Sequence, residues 1–305
     1  SDLLFVMLCI LPFAYTLLLV KPIIDFSKSI ISSILFISNI YFNFTGNRYG
    51  EEHTLLKPFL HTWSLSVEEQ FYILFPICLI LIIKFFRKYL LILLMIGFLI
   101  SILFSQYLSI YHPGFNFYQI FSRGFELLLG SFLSYFEINN GGKCRRTNKL
   151  LNQLLTTLGI FLIIFSFFFF SDKDLLPSFY SLIPLSGVCL IIWYSNKNDI
   201  ITKILSNKIL VFFGLISYSL YLFHYPIFAF ARVIEIFDEY KVLFILLTII
   251  LSIFSYYCVE KLFRNKQIIS SRNLVIILLS CIIFLITFNF YVIKNEGIKS
   301  RLPKI

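Results

Sequence analysis

Long apolar runs recur along the whole chain and leave it little choice of fold. Nine are candidate membrane spans, at 3–20, 62–83, 89–111, 117–136, 151–170, 179–195, 209–230, 241–259 and 274–293. A transmembrane helix needs about 20 consecutive apolar residues, so the sequence predicts an all-α, polytopic transmembrane helical bundle with about nine to ten spans. Because only 14% of the 305 residues are charged, against about 25% in soluble domains, a soluble enzyme, a secreted binding module and a disordered scaffold are excluded.

The stretch 28–44 (SKSIISSILFISNIYFN) fits this pattern less well, because serines and asparagines interrupt its apolar residues. Polar groups of this kind are costly in contact with lipid. We interpret the stretch as a re-entrant or interfacial segment, with a full span as the alternative.

Basic residues are divided unevenly between the loops on the two sides of the predicted bundle. One side holds fourteen: Lys84, Arg87, Lys88, Lys143, Arg145, Arg146, Lys149, Lys197, Lys203, Lys208, Lys261, Arg264, Lys266 and Arg272. Before the C-terminal tail, the other side holds six: Lys21, Lys28, Arg48, Lys57, Lys173 and Lys241. The richer side is expected to be cytoplasmic, which places the N-terminus inside and the tail 294–305 outside. This distribution explains the net charge of +10 without nucleic acid as a partner.

The first polar cluster, HTWSLSVEEQFY at 61–72, lies where an apolar run begins. His61, Glu68 and Glu69 are candidate catalytic residues, since His and Glu are common general acids and bases. Other members are candidate substrate-binding residues: Trp63, Ser64, Ser66 and Gln70. The alternative is a simple helix start, with Thr62 or Ser64 as N-cap and the acidic residues near the positive end of the helix dipole.

A second cluster, Ser122-Arg123-Gly124-Phe125-Glu126, lies inside the run 117–136. Arg123 and Glu126 are i,i+3 neighbours on a helix and can neutralise each other. Either the pair is a structural clamp, or Arg123 holds an anionic group or orients a catalytic carboxylate through its forked guanidinium. Both residues are candidates for substrate binding.

In the third cluster, Ser217, Tyr221 and His224 follow an i, i+4, i+7 spacing that puts them on one helical stripe. Pro226 is expected to disturb the following turn and to free backbone carbonyls. His224 is a candidate catalytic residue, and Ser217 and Tyr221 are candidates for substrate binding. The alternative is that His224 is a satisfied packing residue.

A fourth cluster, YYCVEKLFR at 256–264, contains Glu260 and Arg264 at i,i+4 spacing. An interfacial anchor explains it better than a contact with an acyl donor. The sequence has no nucleotide-binding or zinc-protease motif, and its six cysteines lack metal-ligand spacing. No bound cofactor and no metal is predicted.

Four segments in this order resemble the integral-membrane acyltransferase-3 family, which includes bacterial O-antigen and peptidoglycan O-acetyltransferases: HTWSLSVEEQFYILFP, SRGFELLLGSF, FFGLISYSLYLFHYPIF and YYCVEKLFR. The resemblance implies a bacterial inner-membrane enzyme. It would transfer an acyl group, usually acetyl, from cytoplasmic acyl-CoA to a hydroxyl of a cell-surface carbohydrate. It places the candidates of the first cluster around the acceptor-side site, Arg123 and Glu126 in the same polar core, and Tyr221 and His224 beside it.

The resemblance also implies what lies beyond the chain. The family's first helix carries an Arg-to-His motif with the leading catalytic histidine, and this sequence starts after it, so we expect a fragment that is inactive alone. We expect residues 1–273 to form the N-terminally truncated acyltransferase domain. Residues 274–305 would be an extra transmembrane helix and an external linker to an SGNH hydrolase-like domain.

Two other classes of protein share the main sequence features. A glycan transporter or flippase also places charges within the membrane, and would show inverted repeats and broken helices, neither of which is clear here. A multi-span glycan polymerase is expected to have a large external loop with arginines, whereas 45–60 has only Arg48 and Lys57 as basic residues. The acceptor glycan, the acyl chain and the oligomeric state are not encoded in any recognisable pattern.

Overall fold

The computed structural model describes residues 1–45, 52–139, 148–171, 174–196 and 199–301. This described part is helical and contains no strand. In chain order the α-helices are α1 Asp2–Leu17, α2 Val20–Ile34, α3 Ser38–Phe44, α4 Glu52–Leu55, α5 Thr62–Phe86, α6 Leu90–Tyr111, α7 Pro113–Tyr118, α8 Ile120–Asn139, α9 Lys149–Phe169, α10 Leu182–Tyr194, α11 Ile200–Leu205, α12 Lys208–Val233, α13 Lys241–Ser255, α14 Lys261–Arg264 and α15 Ser271–Lys294.

Several of these helices confirm the predicted fold class, a helical membrane bundle. In the described residues, five segments are long and apolar enough to cross a membrane: Thr62–Tyr111, which contains both α5 and α6, Lys149–Phe169, Lys208–Val233, Lys241–Arg264 and Ser271–Lys294. Helix α1 and the helical segment Phe179–Tyr194 are apolar but shorter. The chain is therefore a multi-pass membrane protein, and its exact number of crossings stays a prediction.

Two predicted segments differ from the helices observed. The run 117–136 is broken at Gln119, which is extended, so α8 starts at Ile120 after the short helix α7. Proline at the first position of α7 explains where that helix begins, because its missing N–H is not needed there. The stretch 28–44 divides into the end of α2 and α3, of 15 and 7 residues. Neither helix reaches the length of a crossing, which favours the re-entrant or interfacial interpretation.

The chain forms two compact units, residues 1–66 with 212–305, and residues 67–211. Part of the charge pattern predicted from the loops lies outside the described residues: Arg48, Lys143, Arg145, Arg146, Lys173 and Lys197. The orientation in the membrane therefore stays a prediction. The proposed boundary at residue 273 also stays a prediction, and α15, which follows it, packs on α2 in the first unit.

The core of the first unit is built from one face of each of four helices. On α1 the buried residues Val6, Ile10 and Ala14 follow helical spacing. Facing them are buried side chains of the other three helices: Ile23, Phe26 and Ile30 of α2, Leu222, Phe223 and Phe230 of α12, and Leu285 and Val292 of α15. These contacts fix α2 and α12, the two helices that carry the polar residues considered below.

The turn between α1 and α2 is closed by a side chain from the other end of the chain. Pro22 lies in the first turn of α2, where its missing N–H is tolerated. If α1 continued into α2 as one helix, the carbonyl of Leu18 would need that N–H as its hydrogen-bond donor. Arg301 instead donates to the carbonyls of Tyr15 and Leu18. Its guanidinium also lies 5.3 Å from the centre of the Tyr15 ring. Arg301 thus satisfies carbonyls that the end of α1 leaves without helical donors.

In the second unit, hydroxyl and amide side chains bond to backbone groups of α8 and of the loop before α10. Ser101 of α6 donates to the carbonyl of Phe121 at 2.6 Å and accepts from the N–H of Phe125 at 2.8 Å. Ser105 and Asn116 both donate to the carbonyl of Pro177, at 2.9 and 2.8 Å. These bonds hold the first turn of α8, and with it Arg123 and Glu126.

Helices α9 and α10 approach each other most closely at two glycines. A Cβ on Gly159 would lie 2.6 Å from the carbonyl oxygen of Gly187, and a Cβ on Gly187 would lie 2.6 Å from that of Gly159. Both neighbours are backbone atoms, so neither can move aside without shifting a helix. Small residues allow such contact between helices in membranes.

We expect Gly187→Ala to separate α9 from α10 and to lower the stability of the second unit by about 1–3 kcal/mol, the usual cost of overpacking. Thermal unfolding of the full-length protein in detergent measures the effect. The matched control is Gly130→Ala, since Gly130 lies in α8 with nothing within 4 Å of its added Cβ. Equal stability of the two variants would contradict the role assigned to the contact between the glycines.

Candidate functional site

His61 lies in the turn before α5 and is enclosed by aromatic rings of the first unit. Its ring is stacked with Tyr225 at a centroid distance of 5.3 Å and with Phe59 at 6.1 Å. The rings of Tyr221 and His224 approach edge-on, at 5.2 and 5.7 Å. Only 2% of His61 is exposed. The structure therefore brings together three of the sequence-predicted site residues, His61, Tyr221 and His224.

The ring nitrogens of His61 are buried without a proper hydrogen-bond partner. The carbonyls of Pro58 and Leu222 lie beside the ring, but among the described residues none completes a hydrogen bond of normal geometry with either nitrogen. The carbonyl of Leu222 lacks its usual helical donor because Pro226 has no N–H. An imidazole in this condition is costly to bury, and such groups call for a functional explanation.

Pro226 does not end its helix, contrary to the disturbance expected after it. Helix α12 continues through Pro226 to Val233. Neighbouring helices can support a proline in this way inside a membrane protein. The effect of Pro226 is thus confined to the missing hydrogen bond.

Burial, and secondarily the neighbouring His224, lowers the pKa of His61 well below its ordinary value of 6.5. The charged imidazolium loses hydration in this aromatic environment, and no carboxylate among the described residues offsets that loss. The His61 ring is therefore neutral at neutral pH, with one nitrogen able to accept a proton.

The hydrogen bond of His224 fixes which of its nitrogens is basic. Its Nδ1 lies 3.2 Å from the carbonyl oxygen of Leu220, one turn earlier in α12. A carbonyl can only accept, so we assign the proton to Nδ1 and the free lone pair to Nε2. His224 is only half-buried, so its Nε2 is the more accessible basic atom of the two histidines.

Tyr221 ties α12 to the start of α5. Its hydroxyl donates to the carbonyl of His61 at 2.5 Å and lies 2.6 Å from the hydroxyl of Ser64. Because the single phenolic proton goes to the carbonyl, Ser64 is the donor to Tyr221. Ser64, a predicted substrate-binding residue, thus belongs to the same cluster and orders the turn that carries His61.

A chain of hydroxyls holds the same turn from the other side. Thr62 donates to the carbonyl of Phe59 at 2.7 Å and lies 2.7 Å from the hydroxyl of Ser33 and 3.2 Å from that of Ser38. Ser38 lies 2.7 Å from Ser66. All four hydroxyl residues are buried, and the bonds link α2, α3 and α5. Thr62 donates to a carbonyl here and does not act as the expected N-cap. The hydroxyl of Ser66 is bonded within the protein, and contact of Ser66 with substrate stays a prediction. Trp63 is buried beside them.

In the second unit, Arg123 forms the structural clamp that its spacing predicts. Its Nη1 lies 3.3 Å from Oε2 of Glu126, and its Nε donates to the carbonyl of Phe117 at 2.9 Å. The guanidinium also lies 4.9 Å from the centre of the Phe117 ring. Both charged side chains are largely shielded. Their part in substrate binding stays a prediction.

Other predicted site residues lie apart from these contacts. Glu68 and Glu69 lie in the second turn of α5 and Gln70 follows it; all three are half-buried, and their part in the site stays a prediction. Ser217 is exposed and donates to the carbonyl of Gly214 in its own helix at 2.8 Å. The fourth cluster contains the predicted ion pair of Glu260 and Arg264, at 2.9 Å.

Sequence reasoning missed the residues that support His61 from outside its own motif. Tyr225 stacks on its ring and donates to the carbonyl of Thr54 at 3.2 Å. Ser33 and Ser38 lie in the stretch 28–44, for which the sequence predicts a re-entrant or interfacial segment and no part in the site. The buried serines of that stretch were the available signal, since polar residues at membrane depth require internal partners.

Within the described residues, no group of three His, Cys, Asp or Glu side chains is arranged to hold a metal ion. The fold and the site thus define a polytopic helical membrane protein with a buried cluster of histidines, tyrosines and serines. The profile of the acyltransferase domain family, acyltransferase-3, matches residues 3–260. The chain belongs to this family, as the four motifs indicate.

The similar proteins include O-acetyltransferases of Listeria monocytogenes and Staphylococcus aureus. The peptidoglycan O-acetyltransferase OatA of Listeria monocytogenes is 31% identical over 209 residues, which cover 65% of this chain and 33% of that protein. The O-acetyltransferase OatA of Staphylococcus aureus strain NCTC 8325 is 28% identical over 264 residues, covering 82% and 43%. A provisionally named O-acetyltransferase of Staphylococcus aureus strain COL is 29% identical over 282 residues, covering 86% and 45%.

The chain spans less than half the length of these relatives. No solved structure matches it.

We expect the first unit to lose stability in mild acid because of His61. A group whose pKa is lowered by folding contributes its full stability above its unfolded pKa, here about 6.5, and loses it as the pH falls toward the folded value. The loss is at most about 1.4 kcal/mol per pH unit. Thermal unfolding of the full-length protein in detergent at pH 7.5 and 5.5 measures it.

His61→Phe keeps an aromatic ring between Tyr225 and Phe59 and removes the titrating group, so its unfolding should depend less on pH. The matched control is His112→Gln, since His112 is exposed at the end of α6 and should retain the wild-type dependence. If His61→Phe and the wild type lost equal stability between the two pH values, the buried neutral imidazole would not be the cause.

Proposed function

We propose that this chain is the membrane part of an O-acetyltransferase. The enzyme moves an acetyl group from cytoplasmic acetyl-CoA to a hydroxyl of a cell-surface carbohydrate, with peptidoglycan as the first candidate acceptor. Membership of the acyltransferase-3 family and relatives named as O-acetyltransferases support the reaction class. The single observation that carries the proposal is the aromatic cluster around His61 and His224, in which basic nitrogens are held at a fixed place.

Acetyl transfer to a hydroxyl needs a base at the acceptor oxygen. In the reaction, a C–O bond forms between that oxygen and the acetyl carbon, the C–S bond of the thioester breaks, and the hydroxyl proton finally goes to the departing thiolate. A neutral imidazole near neutral pH is well suited to carry that proton. The developing oxyanion needs donors that are already in place.

We assign the base to His224, through its Nε2. The bond from Nδ1 to the carbonyl of Leu220 orients the ring. In other enzymes that use a base to assist acyl transfer, a further group holds the base in place in the same way. His61 and Tyr221 are positioning residues, because His61 is enclosed and Tyr221 is bonded to its carbonyl. Ser64 completes this arrangement.

Glu68 and Glu69 are the alternative base, as paired carboxylates one helical turn beyond Ser64. Arg123 and Glu126 are proposed as substrate-binding residues, with Trp63, Ser66, Gln70 and Ser217 as further candidates. The protein is proposed to lie in the bacterial cytoplasmic membrane, with the tail after α15 outside. Lipopolysaccharide O-antigen and exopolysaccharide are the other acceptors to be assayed.

The test uses the full-length gene product in a bacterial strain that lacks its own O-acetyltransferase. His224→Gln should lower the ester-linked acetate on the surface glycan by about 100-fold or more, the usual contribution of a general base. Acetate released by mild base from purified peptidoglycan, O-antigen and exopolysaccharide measures the product.

The matched control is His112→Gln, which replaces an exposed histidine in the second unit and should leave acetylation unchanged. Membrane abundance of each variant is measured in parallel. Unchanged acetylation by His224→Gln at normal abundance would remove His224 from the base role, and Glu68→Gln and Glu69→Gln would then be compared. No acetate on any glycan from the wild type would overturn the proposed function itself.

A further inference from the structure

The chain folds back on itself directly after the last long helix, α15. The N–H of Glu296 donates to the carbonyl of Ile293 at 3.1 Å. The next N–H, that of Gly297, donates to the carbonyl of Val292 at 2.9 Å. These two bonds form a Schellman motif, a common way to end a helix and satisfy its last carbonyls. We call residues 295–301, which follow α15, the clasp.

The backbone of the clasp is strained at three consecutive residues. Glu296, Gly297 and Ile298 have φ angles of 48°, 78° and 51°, all in the left-handed region. The left-handed position of a Schellman motif is usually a glycine, and here it is Glu296. For a β-branched residue such as Ile298, this conformation is rare. Strained backbone persists only where surrounding contacts hold it, so the contacts of the clasp decide its conformation.

Gly297 places the clasp on the first turn of α2. Gly297 is buried, and an added Cβ would lie 2.9 Å from the carbonyl oxygen of Val20 and 3.2 Å from Cγ2 of Ile23. Because the carbonyl oxygen is a backbone atom, it cannot move aside unless α2 shifts. Ile298 packs on the core to which Ile23 belongs. The clasp and the start of α2 are therefore in direct contact, and a larger residue at 297 would separate them.

Arg301 fastens the clasp to the end of α1. Its guanidinium donates to the carbonyls of Tyr15 and Leu18, and its Nε donates to the carbonyl of Gly297 at 3.1 Å. A planar guanidinium with several donors in fixed positions is suited to join carbonyls in this way. Gly297 and Arg301 together fix the place where α2 begins.

Helix α2 connects the clasp with the histidine cluster. Phe26 of α2 packs on Phe59 at a ring distance of 5.6 Å, and Phe59 stacks on His61. Further along α2, the hydroxyl of Ser33 lies 2.7 Å from that of Thr62. Because a helix is a rigid element that can carry a displacement along its length, a shift at the start of α2 would also disturb the turn before α5.

The clasp and α15 lie beyond residues 3–260, the part of the chain that the family profile matches. The sequence predicts an extra helix and a linker at this place. Leu285 and Val292 of α15 nevertheless belong to the core of the first unit, and the clasp contacts α1 and α2. Residues that follow the matched region thus complete the unit in which His61 and His224 lie.

We propose that the clasp is a positioning element of the candidate site. Gly297 and Arg301 hold the start of α2, and α2 holds the turn that carries His61, beside which His224 is placed to act as the base. Arg301 is thus a positioning residue, which acts through α2 and not by contact with the substrate. This inference rests on the proposed function, because it names residues that the same reaction needs.

The first test measures hydrogen exchange of the full-length protein in nanodiscs. The N–H groups of Leu60, Thr62 and Trp63 bond to carbonyls of the turn before α5, each at 3.1 Å, so their exchange reports how firmly the turn is held. Arg301→Gln should raise their exchange rate about tenfold, the effect on local opening of a lost hydrogen bond from a charged group. Gly297→Ala breaks the clasp in a different way and should have the same effect.

The second test measures acetyl transfer from acetyl-CoA to the glycan that the wild type acetylates, at equal amounts of folded protein. Displacement of a catalytic group by about 1 Å can lower a rate roughly 100-fold, so kcat should fall about tenfold or more in Arg301→Gln and in Gly297→Ala. The KM for acetyl-CoA should be nearly unchanged, because the clasp is proposed to place the base and not to bind the donor.

Two control variants leave the contacts of the clasp in place. Arg272→Gln makes the same chemical change at an exposed arginine near the other end of α15. Lys299→Gln removes a charge within the clasp itself, where its ion pair with Glu296 is exposed, and exposed pairs contribute little to stability. Both variants should match the wild type in exchange at the turn and in kcat.

Three results would overturn the inference. The first is unchanged exchange at the turn in Arg301→Gln and Gly297→Ala, or an equal rise in Arg272→Gln. The second is an equal rise in α9 and α10 of the second unit, which would show general unfolding of the chain. The third is raised exchange at the turn with an unchanged kcat, which would show that the clasp supports the fold without placing the base.

The two readouts distinguish failure of this inference from failure of the proposed function. If the wild type acetylates no glycan while exchange at the turn still depends on Arg301 and Gly297, the reaction is contradicted and the link between the clasp and the turn is supported. If the wild type acetylates glycan and both variants match it in exchange and in kcat, only the role of the clasp is contradicted.

Discussion

Polar groups at membrane depth have to find their partners inside the protein, because hydrocarbon offers none. The first unit meets this constraint with hydroxyls: Ser33, Thr62, Ser38 and Ser66 bond to one another across three helices. Their bonds fix the turn before α5, and His61 lies in that turn. The geometry of the histidine cluster therefore depends on the hydrogen bonds among these three serines and the threonine.

Hydrophobic periodicity and length were sufficient to predict most of the helices. Helix α15, for example, was expected at 274–293 and runs from Ser271 to Lys294. The errors lie where a local residue overrides the apolar pattern. Gln119 divides the predicted run 117–136. In the predicted run 3–20, helix α1 ends at Leu17 because Pro22 follows. Pro226 shows the opposite case, since packing maintains a helix that the sequence predicts to be disturbed.

The sequence indicated some of the residues that the structure brings together, such as His61, Tyr221 and His224, and only part of their arrangement. Helical spacing correctly put Tyr221 and His224 on the same side of α12, whereas Ser217 bonds to its own helix and remains exposed. The contact of Tyr221 with the carbonyl of His61 joins residues 160 positions apart, and no local pattern reports such a distance.

The turn closed by Arg301 has a consequence for the order in which the protein is made. The carbonyl of Leu18 leaves the ribosome 283 residues before the guanidinium that binds it, and chains emerge from the amino end at roughly 5–20 residues per second. For that interval the end of α1 lacks its final partner. The turn between α1 and α2 is thus closed only after α15 and the segment that carries Arg301 have been made.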